Sequence, residues 1–170
     1  MDISAQKILE KLNAGETIRW ESQSAEDTFG LGKLLGEGGI PGQIYTLTGD
    51  LGVGKTVFTQ GFARGLGILE PVNSPTFTIL HVYEEGRLPF YHFDVYRIAD
   101  VEEMEEIGYE DCFYGEGVCL IEWADLIKEI LPEHSVQVTI AKNPDRGFDY
   151  REITLRKRER KEEPERGSGD

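Results

Sequence analysis

The chain has 170 residues, 39% of them hydrophobic, which suffices for one domain around a single sizeable core and is too few for two ordinary ones. A formal net charge of -14 argues against a surface built to grip a phosphodiester backbone directly, because that affinity rests on clustered Lys and Arg. No apolar run approaches the length of a membrane span, and the charged, amphipathic start lacks the layout of a signal peptide, so a cytoplasmic protein is expected.

Apolar groups at Ile3, Ile8, Leu9 and Leu12 predict a short amphipathic helix that stops at Asn13 to Gly15, read as an N-terminal appendage over residues 1–15. A β-like run follows from Thr17 to Glu21. Ser24 with Asp27 then resembles a capping box opening a helix through about Leu35, which Gly36 to Gly42 breaks. The run Ile44 to Thr48 is β-rich and feeds directly into Gly49, Asp50, Leu51, Gly52, Val53, Gly54, Lys55 and Thr56, after which Lys55 to Leu66 reads as a helix.

Strand, glycine loop and helix in that order match the phosphate loop G-x-x-x-x-G-K-S/T in spacing and context. The glycines let the loop curl round an anion, and successive backbone N–H groups then point inward with the positive end of the helix dipole behind them. Residues Gly49 to Val57 are therefore assigned to nucleotide binding, with Lys55 reaching the β- and γ-phosphates and the Thr56 hydroxyl completing a magnesium octahedron. The plain alternative is a glycine-rich turn that binds nothing.

Two β-rich stretches, Phe77 to Tyr83 and Leu88 to Asp94, flank the turn Glu84 to Arg87 and predict a hairpin, hence an antiparallel element in an α/β fold. Asp100 to Ile107 reads as a short acidic helix. The stretch Asp100 to Glu116 holds no Lys or Arg, and is either a solvated face or a docking face for a basic partner. Val118 to Ile121 is an unbroken apolar run suited to a buried central strand. A helix to about Ile130 and two alternating strands, Val136 to Ile140 and Arg151 to Leu155, complete one α/β domain over residues 16–156. Residues 157–170 alternate charges without apolar groups and read as a disordered tail. Cys112 and Cys119 fit no disulfide or zinc spacing, and His81, His92 and His134 are too scattered for a metal cage.

Hydrolysis needs more than a phosphate loop: a carboxylate near magnesium and a group that orients water. Glu122, directly after the apolar run, stands where a second strand in a parallel sheet brings an acid beside the loop; Asp94 ends its own β run near Tyr96 and Arg97. Arg97 could neutralise phosphate charge, although an ion pair with Asp94 is the favoured reading. Ser74 to Thr78 projects Thr76 and Thr78 from a Ser-Pro turn, either a γ-phosphate-sensing switch or an ordinary turn opening a strand. Trp123 and Tyr96 are candidates for a partner or nucleotide surface, against the commoner fate of large aromatics in a core.

The strings GDLGVGKT, SPTFT, HFDVYR and IEWAD, in this order, resemble the TsaE (YjeE) family of bacterial ATPases in tRNA threonylcarbamoyladenosine synthesis. The resemblance covers roughly Ser22 to Ile130. It implies a P-loop α/β fold, with a mostly parallel central sheet flanked by helices. It implies ATP and Mg2+ as cofactors, phosphates on Gly49 to Thr56, and magnesium on Thr56 and Glu122. In the same way it implies Asp94 as needed for hydrolysis with Lys55, and Thr76 in a switch-like loop. The implied partners are the two-subunit threonylcarbamoyl transferase assembly of the TsaB and TsaD type, which carries the tRNA. ATP would hold the protein on that assembly and hydrolysis would reset it, with weak intrinsic turnover rising in the complex. No guanine-reading N-K-x-D motif occurs, since Lys142 to Asp145 has its letters in the wrong order, so ATP is preferred to GTP. Two other classes remain: a small-molecule kinase, for which no Arg-rich lid stands out, and a nucleotide-gated binding module without useful hydrolysis.

Overall fold

The computed structural model describes residues 4–73 and 78–158. Seven strands form one sheet in the order β1-β7-β6-β2-β5-β4-β3. Four of them run parallel at its centre: β6 (Val136–Lys142), β2 (Ile44–Thr48), β5 (Val118–Glu122) and β4 (Phe90–Asp94). Antiparallel strands close both sides. β3 (Leu80–Tyr83) makes the expected hairpin with β4, while β7 (Arg151–Lys157) and β1 (Ile18–Ser22) extend the sheet beyond β6. The mostly parallel α/β fold with an antiparallel hairpin is thus the architecture observed.

Strand alternation sends side chains into two cores. Tyr45, Leu47, Phe90, Val118 and Leu120 face helices α1 (Ala5–Asn13), α2 (Ala25–Glu37) and α3 (Lys55–Gly65). Ile44, Phe93, Cys119 and Ile121 face the other way, toward α4 (Glu102–Glu106), α5 (Tyr109–Phe113) and a 3-10 segment, Ala124–Ile130. Every residue of β5 is buried because both of its faces are covered, which accounts for the unbroken apolar run there.

The start of α2 follows its sequence closely. Ser24 Oγ accepts the Asp27 N–H at 3.1 Å, and Asp27 reaches back to accept the Gln23 N–H at 2.9 Å. Further along, α2 and α3 lie backbone against backbone. A Cβ on Gly65 would sit 2.9 Å from the Gly36 Cα, and one on Gly32 would meet the Phe58 carbonyl. Gly32 with Gly36 and Gly61 with Gly65 thus form a matched pair of small-residue ridges, which allows the loop-bearing helix to lie close against its neighbour.

Three expectations change. The N-terminal helix does not stand apart: Ile8 and Leu12 are buried in the first core, because α1 packs against β7, α2 and β1. The segment after Trp123 is a kinked 3-10 stretch rather than a regular helix, since Ile127 leaves helical geometry at φ -128° while its side chain enters the second core. The charged tail does not begin at residue 157: Lys157 completes β7 opposite Val136, and Arg158 donates to the Leu131 carbonyl. The rest of the tail lies outside the described residues.

Two substitutions test this packing. Gly36→Ala should lower the unfolding free energy by about 1–3 kcal/mol through overpacking, whereas Gly30→Ala on the open face of the same helix should raise it by up to about 1 kcal/mol. Denaturant melts of both variants read the contrast. Leu12→Ala should cost about 2–5 kcal/mol as a core deletion; a loss under about 0.5 kcal/mol would mean that α1 is peripheral.

Candidate functional site

The carboxyl edge of the parallel strands opens into a cavity of about 870 Å3, lined by the loop residues Gly49 to Gly52 and Gly54 to Val57 together with Asp94, Glu122, Trp123 and Thr139 to Lys142. A site at this edge follows from topology, because parallel strands deliver their loops to the same end of the sheet. β2 delivers the glycine loop, β5 delivers Glu122 and β4 delivers Asp94.

Loop conformation depends on its glycines. Gly52 and Gly54 have φ of +79° and +113°, values that side-chain-bearing residues rarely adopt. A Cβ on Gly49 would lie 2.7 Å from the Ile140 carbonyl oxygen, so glycine is also what lets the loop pass over β6. Val53 is buried in the first core and anchors the loop from below, while Leu51 is almost fully exposed at its crest. α3 starts at Lys55 with its free N–H groups directed at the cavity edge.

Lys55, Glu122 and His92 form a chain of contacts at the floor. Lys55 Nζ lies 3.7 Å from Glu122 Oε1, and His92 Nε2 lies 3.1 Å from Glu122 Oε2. Burial alone would raise the Glu122 pKa, but the hydrogen bond from His92, that ring's charge when protonated, and the Lys55 ammonium outweigh it, holding the carboxyl below its ordinary value. The sign follows: this contribution to stability is present above the ordinary carboxylate pKa and is lost as pH falls through the lowered one. With Glu122 ionised, His92 Nε2 is the donor, and His92 Nδ1 is buried with no hydrogen-bond partner among the described residues.

Asp94 stands opposite Glu122 in the β4–β5 register, and its Oδ1 accepts the Tyr96 N–H at 3.0 Å. The expected Asp94–Arg97 ion pair does not form. Arg97 is exposed, and the turn that follows β4 satisfies Asp94 through backbone instead. Trp123 is the one described non-glycine residue with positive φ, 64°. That turn carries its ring over Lys55, 5.4 Å from Nζ to the centroid, and against Tyr96 at 4.7 Å between ring centres. Both aromatics are exposed rather than core.

The residues assigned from sequence therefore meet in one place, with two exceptions. Val53 packs into the first core and does not line the cavity. Thr76, in the proposed switch loop, lies outside the described residues. The spacing of the histidines does not mark His92; the signal the sequence holds is its place two residues before Asp94, on the same side of a strand. Among the described residues no cluster of three or more His, Cys, Asp or Glu forms a protein-only metal cage. Magnesium suits the donors present, the Thr56 hydroxyl and Glu122 carboxylate, because it takes few protein ligands and shares the rest with phosphates and water.

The family model described as threonylcarbamoyl adenosine biosynthesis protein TsaE matches residues 22–153. The tRNA threonylcarbamoyladenosine biosynthesis protein TsaE of Bacillus subtilis is 50% identical over 138 residues, covering 81% of this chain and 84% of its own. That of Treponema pallidum is 45% identical over 138 residues, covering 81% of this chain and 99% of its own. The crystal structure of Bacillus subtilis YdiB superposes with a TM-score of 0.68 at 42% identity, over 83% of this chain and 85% of that one. With the matched region running from the end of β1 into β7, and so including every described wall of the cavity, the chain belongs to the TsaE family.

Proposed function

We propose that this chain is the ATP-binding and hydrolysing subunit of tRNA threonylcarbamoyladenosine biosynthesis, acting with a two-subunit transferase assembly of the TsaB and TsaD type. The observation that carries the reading is the meeting of Lys55 and Glu122, 3.7 Å apart, inside a cavity walled by the glycine loop. The pathway is supported by the names of the relatives in Bacillus subtilis and Treponema pallidum. Membership of the tRNA reaction through a partner also agrees with a net charge of -14, which is ill suited to holding RNA directly.

In this reading the loop N–H groups and Lys55 bind the phosphates, and Thr56 with Glu122 hold magnesium. The bound ion would neutralise charge on the β- and γ-phosphate oxygens. Glu122 is suited to that place because His92 restrains one carboxylate oxygen and leaves the other turned toward Lys55. Asp94, half-buried at the same strand edge, orients water or accepts its proton. Thr76 belongs to the segment that senses the γ-phosphate. ATP keeps the protein on the transferase, and hydrolysis releases it for the next round. Exposed Trp123 and Tyr96 at the cavity mouth are positioned to report the nucleotide state to a partner.

The test is multiple-turnover threonylcarbamoylation of tRNA by the purified transferase assembly, with and without this protein and ATP. Sustained turnover only with both is expected; a single round regardless of this protein would overturn the reading. Lys55→Ala should abolish ATP binding and sustained modification together. Asp94→Ala should keep ATP binding while slowing hydrolysis by about 100-fold or more, the range for losing a proton-handling group, and normal multi-round modification by it would remove Asp94 from the mechanism.

A further inference from the structure

Arg151, the first residue of β7, lies far from the loop in sequence and belongs to none of the motifs. Its guanidinium makes three hydrogen bonds, all to backbone carbonyls. Nε donates to Val53 at 2.8 Å, and Nη1 donates to Phe148 at 2.9 Å and to Tyr150 at 2.8 Å. The first of these acceptors is in the phosphate loop, and the other two are in the connection leading from β6 to β7.

The Val53 bond has a geometric consequence for Gly54. In a planar trans peptide the carbonyl of one residue and the N–H of the next point in opposite directions. A Val53 carbonyl held toward Arg151 of β7 therefore turns the Gly54 N–H to the opposite side of the loop. Val53 itself cannot swivel freely, because its side chain is buried in the first core and its own N–H donates to the Asp50 carbonyl at 3.2 Å. Gly54, with φ of +113°, is a residue that would otherwise sample many orientations. The Arg151 bond is also charge-assisted, which makes it stronger than a bond between neutral groups.

We infer that Arg151 is a positioning residue of the nucleotide site: it fixes the Val53–Gly54 peptide so that the Gly54 N–H is preset to receive a phosphate oxygen. This rests on the proposal that the loop binds a nucleoside triphosphate. Arg151 touches no ligand and acts through the backbone, so the ordering cost of the loop is met on folding rather than on binding.

The experiment compares wild type, Arg151→Met and Arg151→Lys in the full chain. Dissociation constants for ATP and ADP with magnesium are read by calorimetry, and the Gly54 amide resonance is followed in 15N–1H spectra. Both variants should bind about tenfold or more weakly, consistent with loss of a hydrogen bond involving a charged group. The Gly54 resonance should move on ADP addition in wild type and much less in the variants. Arg151→Lys keeps the charge but not the fork that reaches three carbonyls, and it carries the test if Arg151→Met does not fold. Folded variants with wild-type affinity and a wild-type Gly54 displacement would overturn the inference, as would full rescue by Arg151→Lys. A merely structural arginine would lower the melting temperature and leave both ligand readouts unchanged. Failure of wild type to bind ATP would instead overturn the proposed function, and this inference with it.

Discussion

Leu47 at the end of β2 lies opposite Glu122 at the end of β5, and the rest of the site depends on that parallel pairing. Parallel neighbours finish at the same edge of a sheet, so the glycine loop leaving β2 and the acid leaving β5 emerge side by side. The next pairing, Asp94 opposite Glu122, adds the second carboxylate by the same rule. On the other flank β6 runs parallel to β2, and its Ile140 carbonyl forms the surface that Gly49 must cross. The cavity is therefore a product of strand direction before any side chain is considered.

That placement carries an electrostatic cost which the surrounding residues offset. Glu122 is almost fully buried, where an isolated carboxylate would be driven to its neutral form. His92 and Lys55 reverse this outcome, and they do so from opposite sides, one on each carboxylate oxygen. His92 is held in turn by stacking on Phe90, with ring centres 5.9 Å apart and planes nearly parallel. Its buried Nδ1, without a hydrogen-bond partner among the described residues, is the residual cost of the arrangement. A polar group left unpaired beside a restrained carboxylate is the kind of local compromise found where function competes with packing.

The helices hold the loop from behind. Four glycines let α2 approach α3 to backbone contact, which fixes the helix whose first turn faces the cavity. Arg151 also ties Val53 to the strand β7. β7 also packs against α1, so the N-terminal helix, read from sequence as an appendage, belongs to the same supporting layer.

What the sequence determined by itself was local: the glycine loop between β2 and α3, the cap at Ser24, the buried run of β5 and the β3–β4 hairpin, each specified by residues adjacent in the chain. It also pointed to Lys55 through the loop motif, and to Asp94 and Glu122 because a carboxylate at the end of a strand has a limited set of outcomes in a parallel sheet. Tertiary structure decided the rest. The Glu122–His92 bond joins residues 30 apart and the Arg151–Val53 bond residues 98 apart. Neither separation has a periodicity that a single chain displays. The Asp94–Arg97 pair failed for the converse reason: proximity in sequence did not overcome a turn that sends Arg97 to solvent and gives Asp94 a backbone partner. The burial of α1 likewise needed β7, at the far end of the described chain, to supply its seat. Local chemistry is written in neighbouring residues, whereas the orientation of a carboxylate or a peptide plane is set by whatever the folded chain brings against it.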